Sequence, residues 1–186
     1  MLLTRLRTET RAAHDRIESD LDMLGPGLTL ERYGALVARF HAFFRIWEPR
    51  IGELVGDEAF FGPRRKLPLL EADLAALGLA PLRQTPRIPR LDDVEEAMGS
   101  LYVLEGSTMG GQVIAKSLER RLGLAGPGAT YFASYGRDVA ARWRAFQDIL
   151  ASLSSPAADD RIVCAALATF ESLQACLFAP ARTRHG

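Results

Sequence analysis

LYVLEGSTMGGQVI, residues 101–114, is apolar enough to lie in a protein core, yet it carries three glycines where a helix favours alanine. The pattern around it is helical. Apolar positions recur at steps of three and four from just after Asp92 as far as Leu122, and Gly123 supplies a stop. Asp92, with Glu95 three residues on, reads as a capping box at the start. A helix of roughly 30 residues is about 45 Å long and has the glycines near its centre. Gly106, Gly110 and Gly111 each cost about 1 kcal/mol relative to alanine, so about 3 kcal/mol must be recovered from something that touches bare backbone. Two arrangements do this. Either a neighbouring helix packs closely over the small residues, or a flat ligand lies where a side chain would hold it away. Three glycines also predict a local kink.

Working outward, Leu6, Thr10, Ala13, Ile17, Leu21 and Leu24 form one helical stripe from Leu3, ended by Gly25-Pro26-Gly27. Thr29 caps a second helix with Glu31 in its first turn, and Tyr33, Leu36, Val37, Phe40, Phe44, Trp47 and Ile51 make its face strongly aromatic. A shorter helix begins near Pro68 and stops before Gly78, with Leu70, Leu74 and Leu77 inward; a loop with Pro81, Pro86 and Pro89 follows. Beyond the central helix, GPGATYFASYG (126–136) reads as loop, and 138–153 as a helix with Val139, Trp143, Phe146 and Leu150 inward. Ser155-Pro156 starts a last helix through Ile162, Ala166, Phe170, Leu173 and Leu177. No stretch alternates with period two for long enough to form a sheet. The expectation is an all-α, single domain over residues 1–186.

Composition narrows the function. About half of the 186 residues are apolar and a quarter are charged, as in ordinary soluble globular proteins. Lysine plus arginine total 23 and so do aspartate plus glutamate, so no global field draws the chain to nucleic acid or to an anionic membrane. Arg64-Arg65-Lys66 and Arg182-Thr183-Arg184-His185 read as solvated surface. No unbroken apolar run reaches the ~18 residues that span a bilayer, and MLLTRLRTETR lacks the uninterrupted core of a secretion signal, which predicts a cytoplasmic protein. Cys164 and Cys176 have no metal or redox spacing and read as buried reduced thiols.

The chain has three histidines, and His14 lies on or beside the stripe of the first helix. Such a histidine is either a hydrogen-bonded core residue or a ligand. One histidine without a nearby cysteine, aspartate or second histidine of suitable spacing makes a poor zinc site. It suffices for haem, where the porphyrin supplies four nitrogens and the protein a single axial imidazole. Arg7, two turns earlier on nearly the same face, can meet a carboxylate beside the ring.

At these residues the sequence resembles the haem oxygenases. LRTETRAAHDRIE, with Leu6, Arg7, Thr10, His14 and Glu18 in register, is similar to the family's proximal helix, and GSTMGGQ to its distal helix. Within the family the distal motif looks most like the bacterial branch that makes biliverdin for bacteriophytochromes. The resemblance implies a haem b sandwiched between the first helix and the glycine-kinked one, as both cofactor and substrate. His14 would be the proximal iron ligand, oriented by Glu18. Gly106, Gly110 and Gly111 would lie over the distal face. Arg7 would pair with one haem propionate, and Arg144, with Arg142 as its alternate, with the other. The implied reaction is oxidative cleavage of haem to biliverdin with release of carbon monoxide and ferrous iron. No flavin or nicotinamide fingerprint is present, so electrons would come from a separate reductase or ferredoxin-like donor.

One position departs from the family pattern. Many members carry an aspartate directly after the first distal glycine, where it organises water for the bound oxygen; here it is Ser107, which brings no charge. Tyr102 and Glu105 either line the distal pocket or face another helix. Met109 either ligates or fills a core gap. Tyr131 and Tyr135 either border the haem edge, where Arg137 could also reach a propionate, or lie at the loop surface; His41 is expected in core or boundary packing, and His185 without a role. Two other readings stand beside the oxygenase: a haem-binding sensor or carrier of the same fold, and a helical interaction domain in which the glycines serve packing alone.

Overall fold

The computed structural model describes residues 1–178; the basic cluster at Arg182–His185 lies outside them. The elements run α1 (Leu2–Glu9), α2 (Arg11–Leu21), α3 (Leu30–Val55), α4 (Glu58–Phe61), a 3-10 turn (Gly62–Arg64) and α5 (Leu67–Ala76). They continue as α6 (Val94–Leu122), α7 (Thr130–Ala133), a second 3-10 turn (Gly136–Asp138), α8 (Val139–Ser152) and α9 (Pro156–Phe178). The expected all-α architecture is present, with no strand among the described residues.

Local signals explain most boundaries. Thr29 Oγ1 accepts from Arg32 N at 3.2 Å and Ser155 Oγ from Ala158 N at 3.2 Å, as N-caps do. Gly123 adopts φ 69°, and its N–H closes α6 on Glu119 O. The central cap is one residue later than expected: Asp93, not Asp92, accepts from Glu96 N at 2.9 Å, and Glu96 Oε2 reaches back to Asp92 N at 2.7 Å. The helix expected from Leu3 to Leu24 is two helices. Thr10, whose hydroxyl donates to Leu6 O at 2.7 Å, divides α1 from α2, and Asp22 at φ 43° ends the pair. Leu24 is therefore exposed, while Met23 and Leu28 turn into the core in its place.

α3, α6 and α9 form the centre, and α6 packs most extensively on α9. A Cβ on Gly99 would lie 2.1 Å from Ile162 O, so this crossing requires glycine there. Beside it Trp47 Nε1 donates to Ser100 Oγ at 2.8 Å, and the Thr169 hydroxyl lies 2.7 Å from both Ser100 Oγ and Ala165 O. One buried polar knot thus joins three helices that are distant in sequence. α9 corrects the membrane arithmetic: its best window has mean hydropathy 1.4, enough by length and composition to cross a bilayer. Half of that window is buried against the bundle, as in a core helix. Cys164, expected inside, is exposed on α9, and Cys176 is buried.

The stretch read as loop at 126–136 contains α7 and is held from a distance. The fully buried Asp73 carboxylate accepts from Gly128 N at 3.0 Å, Thr130 N at 2.8 Å, Thr130 Oγ1 at 2.6 Å and Tyr131 N at 2.9 Å. That clamp carries Tyr131 inward and not to the loop surface, the second of its two expected places.

His41 is buried in α3 with no hydrogen-bond partner for Nδ1 among the described residues. Burial lowers its pKa, with Arg45 acting in the same direction and Glu71 opposing. The unfolded chain therefore binds more protons than the native one as pH falls through the ordinary histidine range near 6.5, and stability is lost there. Urea titrations at pH 7 and pH 5 test this. The loss expected in the native chain shrinks in His41→Leu, and an equal loss in both would reject His41 as the cause.

Candidate functional site

A cleft opens between α2 and the middle of α6, with α9 and the α7 segment behind it. Its inner part is a cavity of about 220 Å³ reached by His14, Glu18, Gly106, Ser107, Gly110 and Phe170. An open recess of about 450 Å³ shares His14, Gly106, Ser107 and Phe170, and extends along Arg7, Thr10 and Trp143. The first helix pair and the glycine stretch, some ninety residues apart in the chain, thus form opposite walls of one space.

His14 projects from α2 with 48% of its side chain exposed and its ring edge-on to Phe170, centroids 6.2 Å apart. Its Nδ1 lies 3.6 Å from both Asp15 Oδ1 and Glu18 Oε2. Carboxylates on that side favour the Nδ1–H tautomer and leave the Nε2 lone pair for a ligand. The expectation that no suitably spaced aspartate lies near His14 is thus corrected: Asp15, the next residue in the chain, turns its carboxylate to the ring.

The glycines divide by role. A Cβ on Gly110 would meet nothing within 4 Å, and one on Gly106 would meet only the Trp143 ring, at 3.7 Å. At Gly111 it would lie 2.4 Å from Phe132 O. Close packing therefore excludes a side chain at Gly111, which also lines the cavity, while Gly106 and Gly110 border open space. Helical structure is continuous through all three positions. Ser107 is exposed to the cleft, its hydroxyl donating to Leu104 O at 2.8 Å, with the buried Tyr131 phenol beside it. Met109 is 46% exposed at the rim and fills no core gap.

Arg7 lies on the recess, and buried Thr10 sits beside the Tyr102 hydroxyl. The arginines of α8 are placed otherwise than expected. Trp143 takes the cleft-facing position, and its neighbours are turned about 100° to either side. Arg142 donates to Pro63 O at 3.3 Å and covers the Tyr135 ring at 4.7 Å; Arg144 is exposed to solvent. Neither lines the cavity or the recess.

Behind α6 is a buried polar cluster that sequence reading missed. The Tyr135 hydroxyl donates to Glu105 Oε1 at 2.6 Å, Arg64 Nε lies 3.4 Å from Glu105 Oε2, and Lys66 Nζ sits 3.2 Å from the centre of the Tyr135 ring. Tyr135 is thus engaged from three sides instead of lying at the surface, and burial raises the pKa of both it and Glu105. Arg64 and Lys66, expected on the surface, are buried, and Lys66 reaches the cavity wall.

A planar group with one axial ligand suits this space: an imidazole on one wall, backbone without side chains on the other, and a guanidinium at the open edge. The heme oxygenase family model matches residues 1–178. The chain belongs to the haem oxygenase family. It is an enzyme of haem degradation. A haem oxygenase of Xanthomonas campestris is 33% identical over 168 residues, covering 87% of this chain and 99% of that protein. The fold is also that of solved haem oxygenases. The Neisseria meningitidis enzyme, determined with nitric oxide and carbon monoxide bound, superposes with TM-score 0.80 at 22% identity, covering 95% of this chain and 90% of that one. Haem oxygenase-1 of Synechocystis in complex with haem gives 0.72 at 20% identity, with the same coverage of each chain.

Proposed function

We propose that this haem oxygenase opens haem to biliverdin, carbon monoxide and ferrous iron in the cleft between α2 and α6, using dioxygen and electrons from a separate reductase or ferredoxin-like donor. The observation that carries the reading is His14 facing the open backbone of Gly106 and Gly110. Bound haem supplies both the iron that takes dioxygen and the carbon bridge that is oxidised.

The chain's own residues do the rest. His14 would hold the haem iron through its imidazole, a ligand without the electron push of a thiolate. Glu18 and Asp15 fix the imidazole tautomer. Gly106 and Gly110 let a flat molecule approach the helix backbone, and Phe170 and Val103 exclude water from its faces. Arg7 pairs with a carboxylate at the rim. Thr10, beside Tyr102, fixes the α1–α2 break that aims both Arg7 and His14. Arg142 would reach a propionate only after turning from Pro63 O and the Tyr135 ring, and Arg144 only after turning from solvent toward the cleft. The single domain, supported by the chain's length, a cytoplasmic location, supported by the lack of an unbroken membrane-spanning apolar run, and delivery of biliverdin to a bacteriophytochrome, supported by the resemblance of the distal motif GSTMGGQ, belong to this proposal.

Absorption spectroscopy tests it. With one equivalent of haem the native chain is expected to give a sharp Soret band that yields to a broad red biliverdin band when ascorbate is added in air. His14→Ala is expected to weaken or abolish both. A Soret band that persists with ascorbate and with a protein reductant would overturn the proposal in favour of a haem sensor or carrier.

A further inference from the structure

Two of the chain's 23 basic side chains are lysines, Lys66 and Lys116; all the others are arginines. Lys116 is exposed on α6. Lys66 is 4% exposed and lines the same cavity as Ser107, Tyr131 and Ser134. The chemical difference is specific: arginine keeps its proton at any physiological pH, whereas lysine in a buried place can give one up and take it back.

Such a group has work to do in the proposed reaction, on which this inference rests. Oxygen leaving as water takes up two protons for every two electrons. The cavity walls are largely apolar, and Ser107, where many family members have a carboxylate, has no acidic proton near neutral pH.

The surroundings of Lys66 are built with care. Tyr135 stands at φ 67°, a left-handed conformation costly for a tyrosine, and so presents its ring to Lys66 Nζ at 3.2 Å and its hydroxyl to Glu105. The charged and titratable groups facing Lys66 are Glu48 from α3, Arg64 from the first 3-10 turn, Glu105 from α6, Tyr135 and Arg142 from α8. The Glu48 carboxylate accepts from the Lys66 and Leu67 backbone N–H groups and so fixes the backbone of the residue. Arg64 and Arg142 disfavour the ammonium and the two glutamates favour it. Burial dominates and pulls the Lys66 pKa down to about 8.

We propose that Lys66 is the proton source of the distal cavity, giving a proton to water beside Ser107 and regaining one from solvent along the half-buried edge of Tyr135. Each transfer moves one proton from Nζ to a water oxygen and returns one, so the lysine ends unchanged. Glu105 and Tyr135 are positioning residues that hold the ammonium at the wall.

The test combines an equilibrium and a kinetic measurement on the native chain, Lys66→Met, Lys66→Arg and the control Lys116→Met. Carbon NMR of the haem-free native chain needs only two lysine signals resolved. Lys66, its signal assigned by its loss in Lys66→Arg, is expected to titrate near 8. Single-turnover haem loss in the native chain is expected to slow with rising pH above about 8, at up to roughly tenfold per unit. Lys66→Arg keeps the charge and the contact with the ring but releases no proton. It is expected to lose at least tenfold in rate together with that alkaline dependence, with haem affinity unchanged and Lys116→Met like the native chain. Lys66→Met should match it if it folds; the arginine variant decides if it does not. An arginine variant with native rate and pH dependence would overturn the proposal. So would affinity falling in step with rate, the mark of a lysine that only holds a haem carboxylate, or a Lys66 signal that does not titrate near 8. A native chain without haem turnover would instead remove the oxygenase reaction beneath it.

Discussion

Gly111→Ala is expected to lower the melting temperature of the haem-free protein by roughly 6–12 °C, while Gly110→Ala raises it by a few degrees. The same single methyl group enters the same helix one residue apart, and only its surroundings differ. At Gly111 it would meet a main-chain oxygen, Phe132 O, at 2.4 Å, which no rotamer change relieves. Overpacking of this kind costs about 3 kcal/mol, and each kcal/mol moves the midpoint of a chain this size by about 2–4 °C. At Gly110 the methyl meets nothing, so the helix gains up to about 1 kcal/mol of intrinsic propensity. Gly99→Ala, against Ile162 O at 2.1 Å, should lose at least as much as Gly111→Ala. The functional ranking runs the other way. Gly110→Leu is expected to keep its fold and lose at least tenfold in haem affinity, because its side chain would stand in the cleft. Differential scanning calorimetry and haem titration together check this, and a Gly110→Leu protein with native affinity would show that nothing flat lies on that wall.

Asp73→Ala is expected to cost about 4 kcal/mol in urea denaturation and to weaken haem binding in whatever folded protein remains. The carboxylate is fully buried and accepts from three backbone N–H groups and one hydroxyl, so its removal leaves four donors without their acceptor. The segment it holds carries Tyr131 and Phe132, both on the cavity wall. Asp73→Asn keeps one acceptor oxygen and should recover part of the loss. A denaturation midpoint within 0.5 kcal/mol of native for Asp73→Ala, on the scale of ordinary surface substitutions, would mean that the segment is held by its aromatic packing instead.

What was legible in the sequence was local. Steps of three and four place the helices because a helix repeats every 3.6 residues wherever it occurs, and Thr29, Ser155 and Gly123 cap them by bonds to residues three or four away. Where two local solutions compete, the reading slipped. Asp92 and Asp93 both precede a glutamate three residues on, and Thr10 continues the apolar stripe while its hydroxyl divides the helix. His14, Arg7 and the glycine cluster could be singled out by type and spacing, and their resemblance to the haem oxygenase motifs agrees with the family match over residues 1–178.

The sequence by itself thus determined an all-helical chain, its family, and which residues could carry the chemistry. Only the tertiary structure decided that Gly111 serves packing while Gly106 and Gly110 border the cleft, that Arg142 and Arg144 stand aside from it, and that Asp73, Glu105 and Lys66 are buried at its back. The physical reason is common to all three. Each depends on what another element, about twenty to eighty residues away in the chain, places against the residue, and no periodicity within a helix records that.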